Sequence, residues 1–182
     1  MACTATLTAI ACQCGKTLGG IKHFYVINRD KIDEITVTAG AITAITLLGS
    51  SRGDGFIDYC FKKGTANVVT TGNADDAGRN NSFTTVATLE FMKQETAKRV
   101  SLQAVCETSA YAVWEDNNGK RWLMGYDDAV AANVNGETGS AYTDNNKYSL
   151  VVTDNSLELP MEITMSDANW DAILDANLPV TP

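Results

Sequence analysis

The chain has 182 residues, of which 45% are apolar and 20% are charged, and it contains three prolines. This composition is typical of one folded domain with a core and excludes a disordered or collagen-like chain. The 22 acidic and 14 basic residues give a net charge of −8. Such a balance disfavours a nucleic-acid-binding surface, because those surfaces attract phosphates through basic side chains.

The N-terminal segment predicts a strand and no export signal. Residues 4–11 alternate Thr with apolar side chains, a period of two that suits a β-strand. No basic region precedes them, and no apolar run of the chain approaches the ~20 residues that cross a bilayer. We therefore expect a soluble protein that is made in the cytoplasm and has no membrane partner.

The first half of the chain predicts strands joined by turns. Residues 21–28 are rich in β-branched and aromatic side chains, and a tight turn at Ala39-Gly40 joins strands at 32–38 and 41–48. Further strands are predicted at 56–63, 66–71 and 83–92. In the first of these, Ile57, Tyr59 and Phe61 are expected to face the core. The polar, turn-rich residues 72–82 predict a long loop or hairpin tip.

A central helix is predicted at residues 94–107, which contain strong helix formers and neither Gly nor Pro. Its apolar stripe is expected to begin with Ala97, Val100 and Ala104, which recur at helical spacing. Three further side chains widen this stripe: Leu102, Val105 and Cys106.

The second half returns to strands and ends in a helix. Strands are predicted at 110–115, 120–126, 129–134, 147–153 and 157–164, with a polar loop at 136–146. The first two form a hairpin around Asn117-Asn118-Gly119, and Pro160 marks the last as an edge strand. A helix capped by Ser166 is expected to present Trp170, Ile173 and Leu174 on one face and to stop near Asn177.

The sum is a mainly β fold of about ten strands with one central and one C-terminal helix. Because hairpins dominate the connections, antiparallel sheets are expected. We predict a single domain over residues 1–182, with residues 166–182 as a C-terminal helical extension.

No catalytic or cofactor-binding constellation is evident. The single histidine, His23, lies in the middle of a predicted strand, where a surface or half-buried side chain is more common than a catalytic base. The tripeptide Gly15-Lys16-Thr17 lacks the upstream glycine of a phosphate-binding loop, since that position is Ile10. The three tryptophans, Trp114, Trp122 and Trp170, are expected in the core. The sequence thus predicts neither an enzyme nor a cofactor-binding protein.

No metal site or disulfide framework is predicted either. The five cysteines are odd in number and scattered, so buried, reduced thiols are expected. The Cys12-x-Cys14 spacing is too short for a zinc knuckle. The acidic groups Asp75-Asp76, Asp127-Asp128 and Asp30/Asp33/Glu34 lie beside turns, where solvated charge is the simpler interpretation; calcium at one loop stays possible without EF-hand spacing to support it.

Three segments of the chain carry a resemblance to a known family. The first runs from Cys12-x-Cys14 through Gly19-Gly20-Ile21-Lys22 and residues 23–28 to Ile35-Thr36-Val37 and Ala44-Ile45-Thr46. The second contains Tyr59-x-Phe61-x-Lys63-Gly64 and Glu95-Thr96-x-Lys98-Arg99. The third contains residues 113–117, Gly119-Lys120-x-Trp122-x-x-Gly125, Thr138-Gly139 and Thr143-Asp144-x-Asn146-x-Tyr148-x-Leu150. Together they span the chain to about Pro160, and the sequence resembles tail-tube-like virion structural proteins of phages and prophages of Bacteroidetes.

The resemblance implies an antiparallel β-sandwich or split barrel whose copies form rings, expected to be hexameric, that stack into the tail tube. It implies self-association, contact with other tail proteins, and genomic DNA that passes through without specific binding. Residues 72–82 and 136–146 are the candidate arms between subunits or rings. We expect the channel wall to be negative or neutral, so that DNA slides.

Two other readings stay open at this point. The chain could be another ring or connector protein of the virion, such as a stopper or hub, or a non-catalytic β-sandwich module of the tail that binds a receptor or glycan. A hydrolase with a hidden carboxylate pair is a further alternative, because the separation of two carboxylates is not readable from sequence.

Overall fold

A computed structural model describes residues 10, 17–74 and 81–179. These residues form eleven strands and two α-helices, so the mainly β prediction is confirmed. The predicted strand at 4–11 lies outside the described residues except for Ile10. The strands are β1 Ile21–Asn28, β2 Ile32–Thr38, β3 Ala41–Leu47, β4 Ile57–Asp58, β5 Asn67–Ala74, β6 Asn81–Met92, β7 Ala110–Asp116, β8 Arg121–Met124, β9 Ala131–Glu137, β10 Lys147–Ser156 and β11 Met161–Ile163; the helices are α1 Thr96–Glu107 and α2 Asp167–Ala172.

The strands form two sheets, neither of which closes on itself. One has seven strands in the order β2-β3-β11-β8-β7-β1-β4, and the other has four in the order β5-β6-β10-β9. Every pair is antiparallel except β3 and β11, which are parallel at Ile42 and Ile163. The expectation of purely antiparallel sheets is therefore wrong at this pair.

Strand β11 also corrects the prediction that Pro160 marks an edge strand. It is shorter than the predicted 157–164 and lies inside the seven-stranded sheet, between β3 and β8. Pro160 comes just before its first residue, Met161, so the missing N–H of proline removes no hydrogen bond from the sheet.

The first core lies between the two sheets and is covered at one side by α1. Its largest fully buried members include Phe24 of β1, Leu89 of β6 and Leu150 of β10. Helix α1 contributes Leu102 and Val105.

Val100 of α1, in contrast, is 54% exposed, so the stripe predicted from Ala97, Val100 and Ala104 is wrong. The helix turns its 102/105 side to the sheets, and these two positions share one face because they are three residues apart.

The second core covers the opposite face of the seven-stranded sheet. Trp170 of α2 is 1% exposed and its ring centroid lies 5.0 Å from that of Phe56 and 5.2 Å from that of Tyr25. The predicted Ser166 cap is confirmed, because the Ser166 hydroxyl accepts a hydrogen bond from Asn169 N at 3.3 Å. The helix ends at Ala172, earlier than predicted, and a 3-10 turn follows at Asp175–Asn177.

Backbone hydrogen bonds fix this C-terminal segment to the loop before β4. Phe56 N donates to Ile173 O at 3.0 Å, and Asp175 N donates to Phe56 O at 2.9 Å. A Cβ at Gly55 would lie 2.7 Å from both Asp175 N and Ile173 O, so only glycine fits.

The predicted strand 56–63 is reduced to Ile57–Asp58 by this contact. Phe56 is buried and Ile57 is 45% exposed, so the prediction is wrong at Ile57, whereas Tyr59 is buried and Phe61 packs against the first core as predicted.

Two turn predictions are confirmed. Gly119 has a φ of 81° in the β7–β8 turn, and the rings of Trp114 and Trp122 stack across that hairpin with centroids 6.4 Å apart. In the β2–β3 turn, Ala39 and Gly40 both have positive φ, 52° and 80°. This is the backbone that a two-residue hairpin requires.

The polar segments are partly strand. Strand β5 continues to Ala74 and β6 begins at Asn81, so residues 72–74, 81 and 82 of the predicted loop or hairpin tip belong to paired strands; residues 75–80 lie outside the described part. Strand β9 continues to Glu137, which leaves residues 138–146 as the second loop. Cross-strand pairing overrode the polar composition in both places.

Candidate assembly edges and bare sheet face

The four-stranded sheet has an open edge on each side. Strand β5 pairs only with β6, and β9 pairs only with β10. Among the described residues, no backbone hydrogen bond from another segment reaches the outer side of β5 or β9. Each strand therefore presents a row of unpaired N–H and C=O groups, which is a template for another strand.

Neither edge strand carries a lysine, a proline or a bulge, although helix α1 lies against β9. Edge strands are commonly blocked by lysine, proline or a bulge. The sequence of β5 is NVVTTGNA, with no charge and no proline, and its register against β6 has no bulge. The sequence of β9 is AANVNGE, in which Glu137 at the end is the single charge. Both edges are suited to pairing with a further strand.

The strand directions favour pairing of β5 with β9 of another copy. All three pairs in the sheet are antiparallel, and the number of strands is even, so β5 and β9 run in opposite directions. If copies are placed side by side, β9 of one meets β5 of the next as an antiparallel pair. The sheet can thus continue through many copies with one repeated contact.

One face of this sheet has no cover among the described residues. The core side chains of β6 and β10 alternate with an outer set that belongs to neither core. Val69 on this face is 52% exposed. Apart from Glu90, Met92, Glu137 and Lys147 at one end, the outer set consists of small, uncharged side chains: Asn67, Val69, Thr71, Asn73, Ser82, Thr84, Val86, Thr88, Ala131, Asn133, Asn135, Ser149, Val151, Thr153 and Asn155. We call this set the bare face.

Hydrogen bonds across the strands order part of the bare face. The Asn73 side-chain amide donates to the Thr84 hydroxyl at 3.2 Å, and that hydroxyl donates to the Asn155 side-chain oxygen at 3.0 Å. The charges on this face lie at one end, where Lys147 pairs with Glu90 at 2.5 Å and with Glu137 at 4.0 Å. The rest of the face is a surface of hydroxyls, amides and methyl groups.

A buried carboxylate on the inner face was missed by the sequence analysis. Asp154 is 5% exposed, and one of its oxygens accepts a hydrogen bond from Gly125 N at 3.0 Å while the other has no partner in the described residues. Burial raises the pKa of this carboxyl above its usual range, against the lowering effect of that bond. The predicted strand ended at Thr153. Extending it by one residue continues the alternation of inward-facing positions Leu150 and Val152 to Asp154, which would have predicted that this carboxyl is buried.

Those residues weighed as catalytic or metal-binding that the structure describes do not assemble into a site; Asp75 and Asp76 lie outside the described part. His23 Nδ1 lies 3.0 Å from Asp58 Oδ2 at a half-exposed position, and this ring has no other hydrogen-bond partner in the described residues. Asp127 accepts from Leu157 N at 3.1 Å, and Asp128 lies 4.0 Å from Arg29. In residues 17–74 and 81–179, no three His, Cys, Asp or Glu side chains are placed to hold a metal ion.

The cysteine prediction is wrong for the two cysteines that the structure describes. Cys60 and Cys106 are exposed free thiols. Cys60 lies past the short β4, and Cys106 is beside the buried Val105 on the outward side of α1. Cys3, Cys12, Cys14 and the Gly15-Lys16 dipeptide fall outside the described residues.

No protein-family model, curated protein or solved structure matches the chain. Within the described part, neither α-helix is long and apolar enough to span a membrane.

Proposed function

We propose that the chain is a structural subunit of a tailed-phage virion, built as a tail-tube-like β-sandwich or split barrel, which acts by assembling and not by catalysis. The observation that carries the proposal is the four-stranded sheet, in which β5 and β9 each lack a strand partner on the outer side within the described part of the chain. Joining β5 to β9 of the next copy would satisfy both rows of backbone groups, and a ring is the arrangement in which no copy keeps a free edge.

The bare face supports a role of the ring as a conduit. In a closed ring the four-stranded sheet would present this face to the channel, and its uncharged hydroxyl and amide groups offer DNA phosphates few cations to bind. The lysine on the face, Lys147, is paired with Glu90 and Glu137. A wall of this kind lets DNA slide. The family resemblance adds four further parts to the proposal. The ring is hexameric, rings stack into a tube, the protein is made in the host cytoplasm and placed in the virion, and it contacts other tail proteins.

The test is a charge placed on one edge. Val69 of β5 is 52% exposed, and Val100 of α1 is 54% exposed, so Val69→Lys and Val100→Lys add the same charge to equally exposed positions. We expect the wild-type protein and V100K to form rings in negative-stain micrographs and by sedimentation velocity. We expect V69K to remain a folded monomer, because its lysine blocks the edge. A monomeric wild type, or rings of V69K at wild-type yield, would refute the proposal.

A second candidate, a glycan-binding tail module, has one observation in its favour. A cleft of about 420 Å³ contains two tyrosines and two aspartates, side chains that can bind a sugar, beside two isoleucines: Ile32, Asp33, Ile35, Tyr111, Tyr126 and Asp127. Arg29, however, already covers the Tyr111 ring at 4.8 Å. A stable monomer that binds a glycan, with binding lost in Asp33→Asn, would favour this function over the ring.

A further inference from the structure

The four-stranded sheet has two ends, and their charges differ. At one end β6 begins, β10 finishes at Ser156, and the segments around Asp127 and Leu157 meet through the hydrogen bond of Leu157 N to the Asp127 carboxylate. We call residues 125–128 and 154–159 the acidic end. At the other end β6 finishes at Met92, and Lys93 N donates to Asn146 O at 2.8 Å. We call residues 62–63, 90–98 and 137–147 the lysine end.

The acidic end carries four carboxylates, and Arg29 is the single cation within ion-pair distance of them in the described residues. The carboxylates belong to Asp127, Asp128, Asp154 and Glu158. Asp128 is 90% exposed in its side chain, and neither Asp127 nor Glu158 forms an ion pair in the described part of the chain. The exposed charges are thus not neutralised within the chain.

The lysine end carries five lysines and four carboxylates. The lysines are Lys62, Lys63, Lys93, Lys98 and Lys147, and the carboxylates are Glu90, Glu95, Glu137 and Asp144. All four carboxylates already have partners. Glu90 and Glu137 form ion pairs with Lys147, and Glu95 forms ion pairs with Lys93 and Lys98. Asp144 accepts hydrogen bonds from the N–H groups of Ser140 and Ala141. Lys62 and Lys63 are exposed and form no ion pair with any described residue. Lys62 is fixed at this end because its N–H donates to Glu90 O at 3.1 Å.

Exposed apolar side chains accompany the charges at both ends. At the acidic end, Leu157 is 73% and Leu159 is 58% exposed, next to Tyr126 at 38%. At the lysine end, Tyr142 projects from the 138–146 loop and is fully exposed. Large apolar side chains in water beside unpaired charges are typical of contact surfaces.

We infer that the acidic end of one copy stacks on the lysine end of the copy in the next ring, so that opposite charges set the polarity of the tube. This inference rests on the proposed ring and names the partner of its two ends, a second copy of this chain. In one orientation the three exposed carboxylates of Asp127, Asp128 and Glu158, with one arginine, face an excess of lysine; in the reverse orientation, like charges meet. A head-to-tail contact of this kind does not close on itself and therefore extends as a filament.

The test reverses each end separately. The first double variant, Lys62→Glu with Lys63→Glu, has two acidic ends. The second, Asp128→Lys with Glu158→Lys, has two basic ends. We expect each double variant alone to form rings but few or no tubes. Mixed after ring formation, the two preparations should form tubes again, because each acidic surface then meets a basic one. The control Asp171→Lys changes an exposed carboxylate on α2, away from both ends, and should form tubes of wild-type length.

The outcomes separate this inference from the proposed function. Rings and tubes of both double variants at wild-type length, or rings that fail to stack when mixed, overturn the charge-directed stacking and leave the ring itself standing. A wild-type protein that forms no rings overturns both. Rings without tubes for each variant, with tubes restored in the mixture, support the inference.

Discussion

The two sheets of this protein differ in how much of their surface the chain covers. The central strands of the seven-stranded sheet are buried on both faces, and β7 has six consecutive buried residues, Ala110 to Glu115. The four-stranded sheet is buried on one face, and its β10 alternates between fully buried and half-buried positions. The chain itself thus covers both faces of the central part of the first sheet. The second is complete only on its inner side.

This difference suggests that one sheet stabilises the subunit and the other contacts partners. The cover of the seven-stranded sheet comes from α2 and the loop before β4, so this sheet contributes most to the stability of the isolated subunit. The four-stranded sheet leaves a face and two edges for partners. Substitutions in the first should therefore unfold the protein, whereas substitutions on the outer side of the second should affect assembly.

The largest expected effect follows from removing the cover of the seven-stranded sheet. Trp170→Ala deletes a side chain that is 1% exposed and contacts Phe56 and Tyr25. We expect a loss of about 3–5 kcal/mol in the free energy of unfolding, measured by urea denaturation. The exposed aromatic Tyr142 provides the control, since Tyr142→Ala should leave stability unchanged. A W170A protein of wild-type stability would show that α2 is dispensable for the second core.

A smaller effect should separate the two faces of the four-stranded sheet. Val151 and Val152 are neighbours on β10; Val152 is fully buried and Val151 lies on the bare face. We expect Val152→Thr to cost about 1–3 kcal/mol, because its hydroxyl is buried without a partner. The same substitution at Val151 should change stability by under about 0.5 kcal/mol. Equal losses in thermal unfolding of the monomer would mean that the bare face is covered.

The smallest expected effect is a gain in stability when the buried carboxyl of Asp154 is replaced by an amide. Burial raises the pKa of Asp154, so the folded protein holds this proton more tightly than the unfolded chain does. The wild type is therefore stabilised at low pH and loses that contribution as pH rises through the folded-state pKa. Asp154→Asn avoids burying a charge, and its amide oxygen can still accept from Gly125 N. At pH 7 we expect D154N to be more stable by about 1 kcal/mol.

The pH dependence checks the cause of that gain. The advantage of D154N in thermal unfolding should shrink as the pH falls towards the ordinary range of an aspartate carboxyl, where both proteins are uncharged at this position. Asp171→Asn, an exposed position on α2, is the control and should show no advantage at any pH. A D154N protein that is less stable at pH 7 would mean that the ionised carboxylate is favourable in the fold.

Local signals predicted much of this architecture. The β-branched and aromatic content of residues 21–28 located β1, and the Ala39-Gly40 and Asn117-Asn118-Gly119 turns placed two hairpins. Ser166 was readable as a cap because a capping hydroxyl acts within three residues of its own position. The prediction that no catalytic site is present could not be made from local signals, since carboxylates distant in sequence can meet in space.

The errors share one physical origin, namely contacts between residues distant in sequence. Helical spacing allowed two apolar stripes on α1, and only the position of the helix against β9 decided that Leu102 and Val105 are buried and Val100 is not. Phe56 is buried because the C-terminal segment hydrogen-bonds to its backbone. The residues next to Val100 and Phe56 in the sequence do not determine that Val100 is exposed or that Phe56 is buried.

The sequence by itself determined the strand-rich composition, the hairpins, the capped C-terminal helix and the acidic net charge, because these depend on side chains within a few positions of one another. The tertiary structure decided that β11 enters the sheet beside β3, that β5 and β9 lie at opposite edges, and that the excess of lysine and the carboxylates without a lysine partner lie at opposite ends of one sheet. Strand order and sheet ends are set by pairing across up to about 120 residues of chain, as between Ile42 and Ile163. Alternation within a strand carries no information about which strand will be its neighbour.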